Sequence, residues 1–375
     1  MNVQVRETPL VQVIGTPMTQ ATSKLAIADG DIHPARFKAS EFDPWLDQKW
    51  RDRIALFGTR QRQPWQSGPA YPKGQPNASR RDAVPPEGGK QGSSLAFMQH
   101  QHLDPNNVVL GILNPLGSGQ GIQDVDLSVA LCHATNEWQI AKWTSQDKRL
   151  KASVVVPYED PIASAAEIRR YADNPDFVQV LLLSRTSEPL GSRKYWPIYE
   201  AAAEVGMPVG VHAFGYGGNP MTPAGYPSYY IEEMVGHSQA QQSLLASMVV
   251  EGVFARFPTL KTVMIEGGSA WAPALAWRLD AAWKRLRAET PHLTRLPSEY
   301  MRDHVWWTTQ PMEEPEPRRH LADTIGWTGW DKFIFATDYP HWDYDDPASS
   351  LPLHLTEAQR HDYFIGNAKR VYRGA

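Results

Sequence analysis

Residues 25–34 read LAIADGDIHP, in which the apolar run Leu25, Ala26, Ile27 and Ala28 leads into Asp29, Gly30, Asp31, Ile32, His33 and Pro34. A short apolar run closed by proline suits a buried parallel strand. Side chains two residues apart on a strand point to the same side, so Asp31 and His33 address one point in space. A carboxylate and an imidazole converging at a strand end can hold a metal. Taken alone, the stretch also admits a plainer reading, with Asp31 capping the next turn and His33 at the surface.

Working outward, the same design recurs. Strands are predicted at 25–33, 108–113, 153–157, 178–183, 208–212, 262–266, 305–308 and 333–337, with helical patterns between them. The segment 195–205 (YWPIYEAAAEV) is helical and stops at Gly206, before Met207 and Pro208. The segment 272–286 (APALAWRLDAAWKRL) carries apolar residues at helical spacing, with basic residues near its end. Roughly eight strand–helix alternations fit an α/β fold of the (β/α)8 TIM-barrel type. Strand count alone leaves a doubly wound open sheet as the rival.

Several of these strands end in groups able to bind a metal. The 208–212 run ends at His212, the 333–337 run leads into Asp338, and the 262–266 run ends at Glu266, with Gly267 and Gly268 allowing a tight turn. Barrel active sites occupy the C-terminal ends of the strands, where these residues would lie together. Glu266 reads as a ligand, a general base or a structural acid. His237 reads either as an acid–base partner or as a capping histidine near a helix start. Arg185, just after the 178–183 strand, suits a clamp on a substrate carboxylate or a surface position. His341 and Trp342 follow Asp338 and would line the pocket or orient the ligand. His100, His102 and His133 show no matching spacing.

Composition narrows the function classes. With 37 basic and 41 acidic residues there is no basic stripe, which argues against nucleic-acid binding. The single cysteine, Cys132, excludes an internal disulfide and Cys-rich zinc arrangements, and fits a reducing compartment. Segment 1–20 lacks the apolar run of a signal peptide, and no stretch is apolar enough to span a bilayer, so a cytoplasmic protein is expected. Fourteen Trp imply rigid pocket walls, a large interface or a Trp-rich core. Residues 1–24 read as an N-terminal extension and 25–375 as the barrel. Segment 34–107, rich in Pro, Gly, Arg and Gln, is too long for an ordinary loop and is expected to be a cap or an oligomer arm after the first strand.

Five segments together resemble the amidohydrolase-related family, including the branch typified by aminocarboxymuconate-semialdehyde decarboxylase. They are DGDIHP, YWPIYEAAAEVGMPVGVH, GVFARFPTLKTVMIEGG, FATDYPHWD and the closing FIGNAKRVY. The resemblance implies a metal-dependent TIM barrel acting on a small, often aromatic, carboxylate by hydrolysis or decarboxylation. It carries metal ligation to Asp31, His33, His212 and Asp338. In a mechanism of metal-activated water, Asp338 would also take a proton, with Glu266 or His237 as acid–base partner. Two positions depart from the family pattern. Asp31 stands where the first-strand motif commonly has His, and Glu266 where the sixth-strand motif commonly has the proton-transferring His. The pooled donors Asp31, His33, His212, Glu266, His237 and Asp338 suffice for one or two divalent ions, with oxygen-rich ligation suiting Mn or Fe as well as Zn. That richness resembles the family's non-haem di-metal branch, so an Fe/Mn oxygenase hydroxylating a small carboxylate or amino acid is the alternative. A structural subunit beside a homologous active partner is a third, and the expected assembly is a homo-oligomer or such a hetero-oligomer.

Overall fold

The computed structural model describes residues 25–58, 78–214, 225 and 227–374. The N-terminal extension and residues 59–77 of the expected cap lie outside them. Eight strands form one parallel sheet in sequence order: β1 Ile27–Ile32, β2 Val108–Leu113, β3 Leu150–Val155, β4 Phe177–Leu183, β5 Val209–His212, β6 Thr262–Ile265, β7 Val305–Thr308 and β8 Phe333–Ile334. Beyond β8 the chain returns to β1. Gly30 N donates to Phe335 O at 2.8 Å, His33 N donates to Tyr339 O at 2.8 Å, and Ile32 pairs in parallel with Tyr339. These bonds join the two would-be edge strands, so the sheet is a barrel and the open-sheet rival is excluded.

The strands form where the apolar runs placed them, with boundary shifts. β3 begins three residues earlier than expected, because Leu150 pairs with Gly111 and the cationic Lys151 is half-buried within the ladder. β8 proper is only two residues long; the rest of the expected 333–337 strand bonds to β1 instead. The helices carry ordinary end signals. Asp160 caps Pro161–Arg170 by accepting from Ile162 N and Ala163 N, and Arg169 and Arg170 complement the last-turn carbonyls. The 195–205 helix is observed as Trp196–Glu204, and 272–286 as Ala272–Leu286. Trp138, Trp143 and Trp307 are fully buried, as a Trp-rich core requires, whereas Trp277 and Trp342 are more than half exposed.

Where described, the 34–107 segment is built from short helical pieces rather than structureless chain: Ala39–Trp45, Gln48–Phe57, Leu95–Met98 and Gln99–Leu103. Phe42, Leu46, Met98 and Leu103 bury against Leu127, Leu131 and Trp138, which lie on the helix after β2. The segment also meets the loop after β8. Trp342 N donates to Ala78 O at 2.7 Å, Arg80 N donates to Pro340 O at 2.8 Å, and Ser79 pairs with His341. At Gly92, φ is +74°, and a Cβ there would stand 2.4 Å from the His33 carbonyl oxygen. Gly92→Ala is therefore expected to cost about 1–3 kcal/mol, through backbone strain plus the clash, read as a lowered denaturant midpoint. An unchanged midpoint would show that the segment does not press on His33. No helix among the described residues is long and apolar enough to cross a membrane.

Candidate metal centre

The ends of β1, β5, β6 and β8 bring five side chains to one buried point. His33 Nε2 lies 3.3 Å from Asp31 Oδ1 and 2.8 Å from Asp338 Oδ1. His212 Nε2 lies 2.8 Å from Glu266 Oε2 and 3.5 Å from Asp31 Oδ2. Both Glu266 (φ 56°) and Asp338 (φ 62°) sit in the left-handed region, which non-glycine residues rarely adopt. The strained turns are anchored: Glu266 N donates to Thr308 Oγ1 at 3.1 Å, and Asp338 N donates to Asp31 O at 3.2 Å.

Neighbouring groups set how these side chains point. His33 Nδ1 donates to Asn114 O at 2.8 Å, and His212 Nδ1 to Ala213 O, so each ring turns Nε2 toward the cluster. Asn114 donates to Asp31 Oδ1 at 2.8 Å while its own Oδ1 accepts from Ser153 Oγ and Gln179 Nε2. This polar chain links the β2 end to β3 and β4 and fixes the Asp31 carboxylate. Asp31 Oδ2, His33 Nε2, His212 Nε2, Glu266 Oε2 and Asp338 Oδ2 are all buried without a hydrogen bond. Five such atoms would be costly to leave unsatisfied, and a shared cation satisfies them all. The donor set of three carboxylates and two imidazoles therefore fits a divalent ion of the Mn, Fe or Zn kind.

The charges agree with that fit. Burial opposes ionisation of Asp31, but His33 and His212 outweigh it and hold the carboxyl well below its usual range. Burial likewise opposes a charged His212, but Asp31 and Glu266 push its pKa up to about 10. His33 is raised well above its ordinary value by Asp31 and Asp338 against the same burial penalty. The carboxylates thus favour positive charge at this point, which a bound cation would supply in place of protons on the imidazoles.

The donor atoms fall into two overlapping groups, Asp31, His33, His212, Glu266 and His33, Glu266, Asp338, His341, each contained within 4.8 Å. His341, read from sequence as a pocket or orienting residue, joins the second group. Its ring stacks on His33 with centroids 4.3 Å apart, and its Nδ1 lies 2.6 Å from Asp338 Oδ1. His237 is in neither group. It lies in the interior of the helix Tyr230–Val250 rather than near its start, and burial pushes its pKa down to about 4, so it is neutral at neutral pH. Arg185 is half-buried and pairs with Glu233, Nη2 to Oε1, at 3.4 Å. Trp342 is half-exposed, its Nε1 donating to Tyr230 OH at 3.3 Å.

Residues not singled out by spacing also shape the site. Asp29 accepts from Thr337 N at 2.9 Å and Thr337 Oγ1 at 2.5 Å, and meets His102 Nε2 at 2.8 Å. His102 is thereby placed: it anchors the insertion to β1. Asn114 ends β2 in the way His212 ends β5, and the same strand-end criterion would have found it.

Comparison with known proteins places the chain in a family. The amidohydrolase family model matches residues 28–374. The chain belongs to the amidohydrolase family. This is a family of enzymes, and the amidohydrolase described here is one of them. Gamma-resorcylate decarboxylase from Polaromonas sp. is 24% identical over 271 residues, covering 68% of this chain and 79% of that protein. An amidohydrolase structure from Mycobacterium avium subsp. paratuberculosis superposes with TM-score 0.66 at 20% identity, covering 94% of this chain and 100% of that one. A dihydroxybenzoic acid decarboxylase from Polaromonas sp., solved with bound manganese and the inhibitor 2-nitroresorcinol, superposes with TM-score 0.64 at 17% identity, covering 92% and 96%. The amidohydrolase thus has the barrel that its motifs implied, and two of these three relatives are decarboxylases.

Proposed function

We propose that this amidohydrolase is a divalent-metal-dependent carboxy-lyase acting on a small carboxylate. The observation that carries the reading is the convergence of five buried donor atoms without hydrogen bonds at the ends of β1, β5, β6 and β8. Asp31, His33, His212, Asp338 and Glu266 hold the ion. A bound divalent cation supplies Lewis-acid polarisation of a substrate oxygen and a lowered pKa for bound water. Arg185, fixed by Glu233, offers a guanidinium to a substrate carboxylate.

Loss of carbon dioxide breaks a carbon–carbon bond, and its electron pair must receive a proton. His341 Nδ1 lies 2.6 Å from Asp338 Oδ1, and this pair would deliver the proton to carbon. Glu266 stands where the family commonly has a proton-transferring histidine, and it serves here as a ligand. His237, outside both donor groups, would act only as an acid–base partner at longer range. The preference for decarboxylation over hydrolysis rests on the relatives.

The test is carbon dioxide release from a panel of hydroxybenzoates, with the protein loaded in turn with manganese, zinc and iron and kept free of oxygen. Release that requires metal and not oxygen supports the proposal. A second reading is a two-metal oxygenase, whose further ion the His33, Glu266, Asp338 and His341 group would have to hold. Turnover only with oxygen and a reductant would replace the first reading with it.

A pH effect follows from the same charges. His212 has a folded pKa of about 10 against 6.5 unfolded. In the metal-free protein its charged pairs therefore stabilise fully below pH 6.5, and that contribution is lost as pH rises toward about 10. Metal binding runs the other way, strengthening as protons become easier to displace. The melting-temperature gap between metal-loaded and chelator-treated protein is expected to widen from pH 6.5 to 10. A gap that narrows with pH would count against histidine ligation.

A further inference from the structure

Two side chains outside the donor cluster grip the chain where it delivers His212 and Glu266. Gln241, fully buried on the helix Tyr230–Val250, donates through Nε2 to Val211 O at 3.2 Å and to Ile265 O at 2.6 Å. Those carbonyls belong to the residues immediately before His212 and Glu266. One amide thus spans the ends of β5 and β6 and sets the spacing of two residues whose Nε2 and Oε2 lie 2.8 Å apart. Glu313, from the chain after β7, holds the far side of the same turn. Both of its carboxylate oxygens accept from Ser269 N, at 3.1 and 3.2 Å.

The two glycines between these grips are shaped to them. A Cβ on Gly267 would overlap Gln241 Oε1, and one on Gly268, where φ is +63°, would overlap Glu313 Oε1. Trp271 Nε1 adds a bond to Gly267 O at 2.9 Å. Glu266 itself is held in the left-handed region, which a non-glycine residue keeps only where its surroundings over-determine it. Neither Gln241 nor Glu313 belongs to either donor group. We propose that Gln241 and Glu313 are positioning residues for Glu266, and that through it they set which divalent ion the site prefers. Without them the turn relaxes toward ordinary backbone and the Glu266 carboxylate moves away from His212. Zinc is commonly satisfied by about four donors, which Asp31, His33, His212 and Asp338 supply. Manganese favours an octahedral, oxygen-rich shell and so depends more on a further carboxylate. The inference rests on the proposed ligation by Glu266, and not on the reaction that the site performs.

The experiment is competition between the protein and a chelator for manganese and, separately, for zinc. It is run on wild type, Glu313→Leu, Gln241→Met and Glu313→Gln, with circular dichroism checking the fold of each. The first two variants remove the grip at similar side-chain size, whereas Glu313→Gln keeps an acceptor oxygen for Ser269 N. Groups that orient metal ligands are typically worth about 10–100-fold in affinity. Manganese affinity is therefore expected to fall at least about tenfold in Glu313→Leu and Gln241→Met, zinc affinity to fall less than about threefold, and Glu313→Gln to recover most of the loss. Unchanged manganese affinity would overturn the proposal. So would equal weakening of both ions, which is what a merely structural role gives. If Glu313→Leu does not fold, Gln241→Met decides by the same two criteria. A wild type that takes up neither ion would end the metal reading and this inference with it, an outcome distinct from tight binding that ignores the substitutions.

Discussion

Asp338→Asn is expected to lower kcat/KM by at least about 10³-fold while leaving the barrel folded. The side chain keeps its volume, so packing is preserved, but the charge that faces His33 and His341 is gone. Its Oδ1 lies 2.8 Å from His33 Nε2 and 2.6 Å from His341 Nδ1, and its Oδ2 is buried without a hydrogen bond. The amide cannot take and return the proton, and positioned proton transfer alone contributes about 10²–10⁴. Loss of an anionic ligand weakens the ion on top of this. Steady-state kinetics paired with metal analysis checks both parts. Retention of a tenth of wild-type activity would remove Asp338 from the mechanism.

Asp29→Ala is expected to act in the opposite order, on the fold first and on activity through it. Asp29 is fully buried and is bonded by Thr337 N, Thr337 Oγ1, Asp31 N and His102 Nε2. One carboxylate therefore ties β1 to the chain beyond β8 and to the insertion. Its removal strands several buried donors, and breaking a buried pair costs about 3–5 kcal/mol. Asp29→Asn, which retains an acceptor oxygen, should lose clearly less. Chemical denaturation of the three proteins measures the difference. If Asp29→Ala unfolds at the wild-type midpoint, the junction does not hold the barrel closed.

The fold was legible because buried parallel strands are short apolar runs, and seven of the eight end close to where those runs stop. β8 was overextended because its apolar run continues past the ladder with β7 and bonds to β1 instead. The candidate donors Asp31, His33, His212, Glu266 and Asp338 stand out in the sequence for a related reason: each lies at or just past a strand end, where polar side chains interrupt apolar sequence. Their convergence was not written in spacing alone. Glu266 and Asp338 reach the site through left-handed backbone, which no glycine at either position advertises. His237 looked like a donor on its chemistry, yet its helix keeps it out of both groups. The closeness of His341 to Asp338 depends on the turn between them, which local sequence does not give. His102 could not be assigned from local sequence, since its partner Asp29 lies 73 residues away and the insertion folds back to make the contact.

The proposed divalent metal site is made by Asp31, His33, His212, Glu266 and Asp338. Anomalous diffraction from crystals of active enzyme, recorded across the manganese, iron and zinc edges, tests it most directly. One or two anomalous peaks are expected among these five residues, with ligand distances of about 2.0–2.3 Å. An active crystal with no anomalous peak there would contradict it.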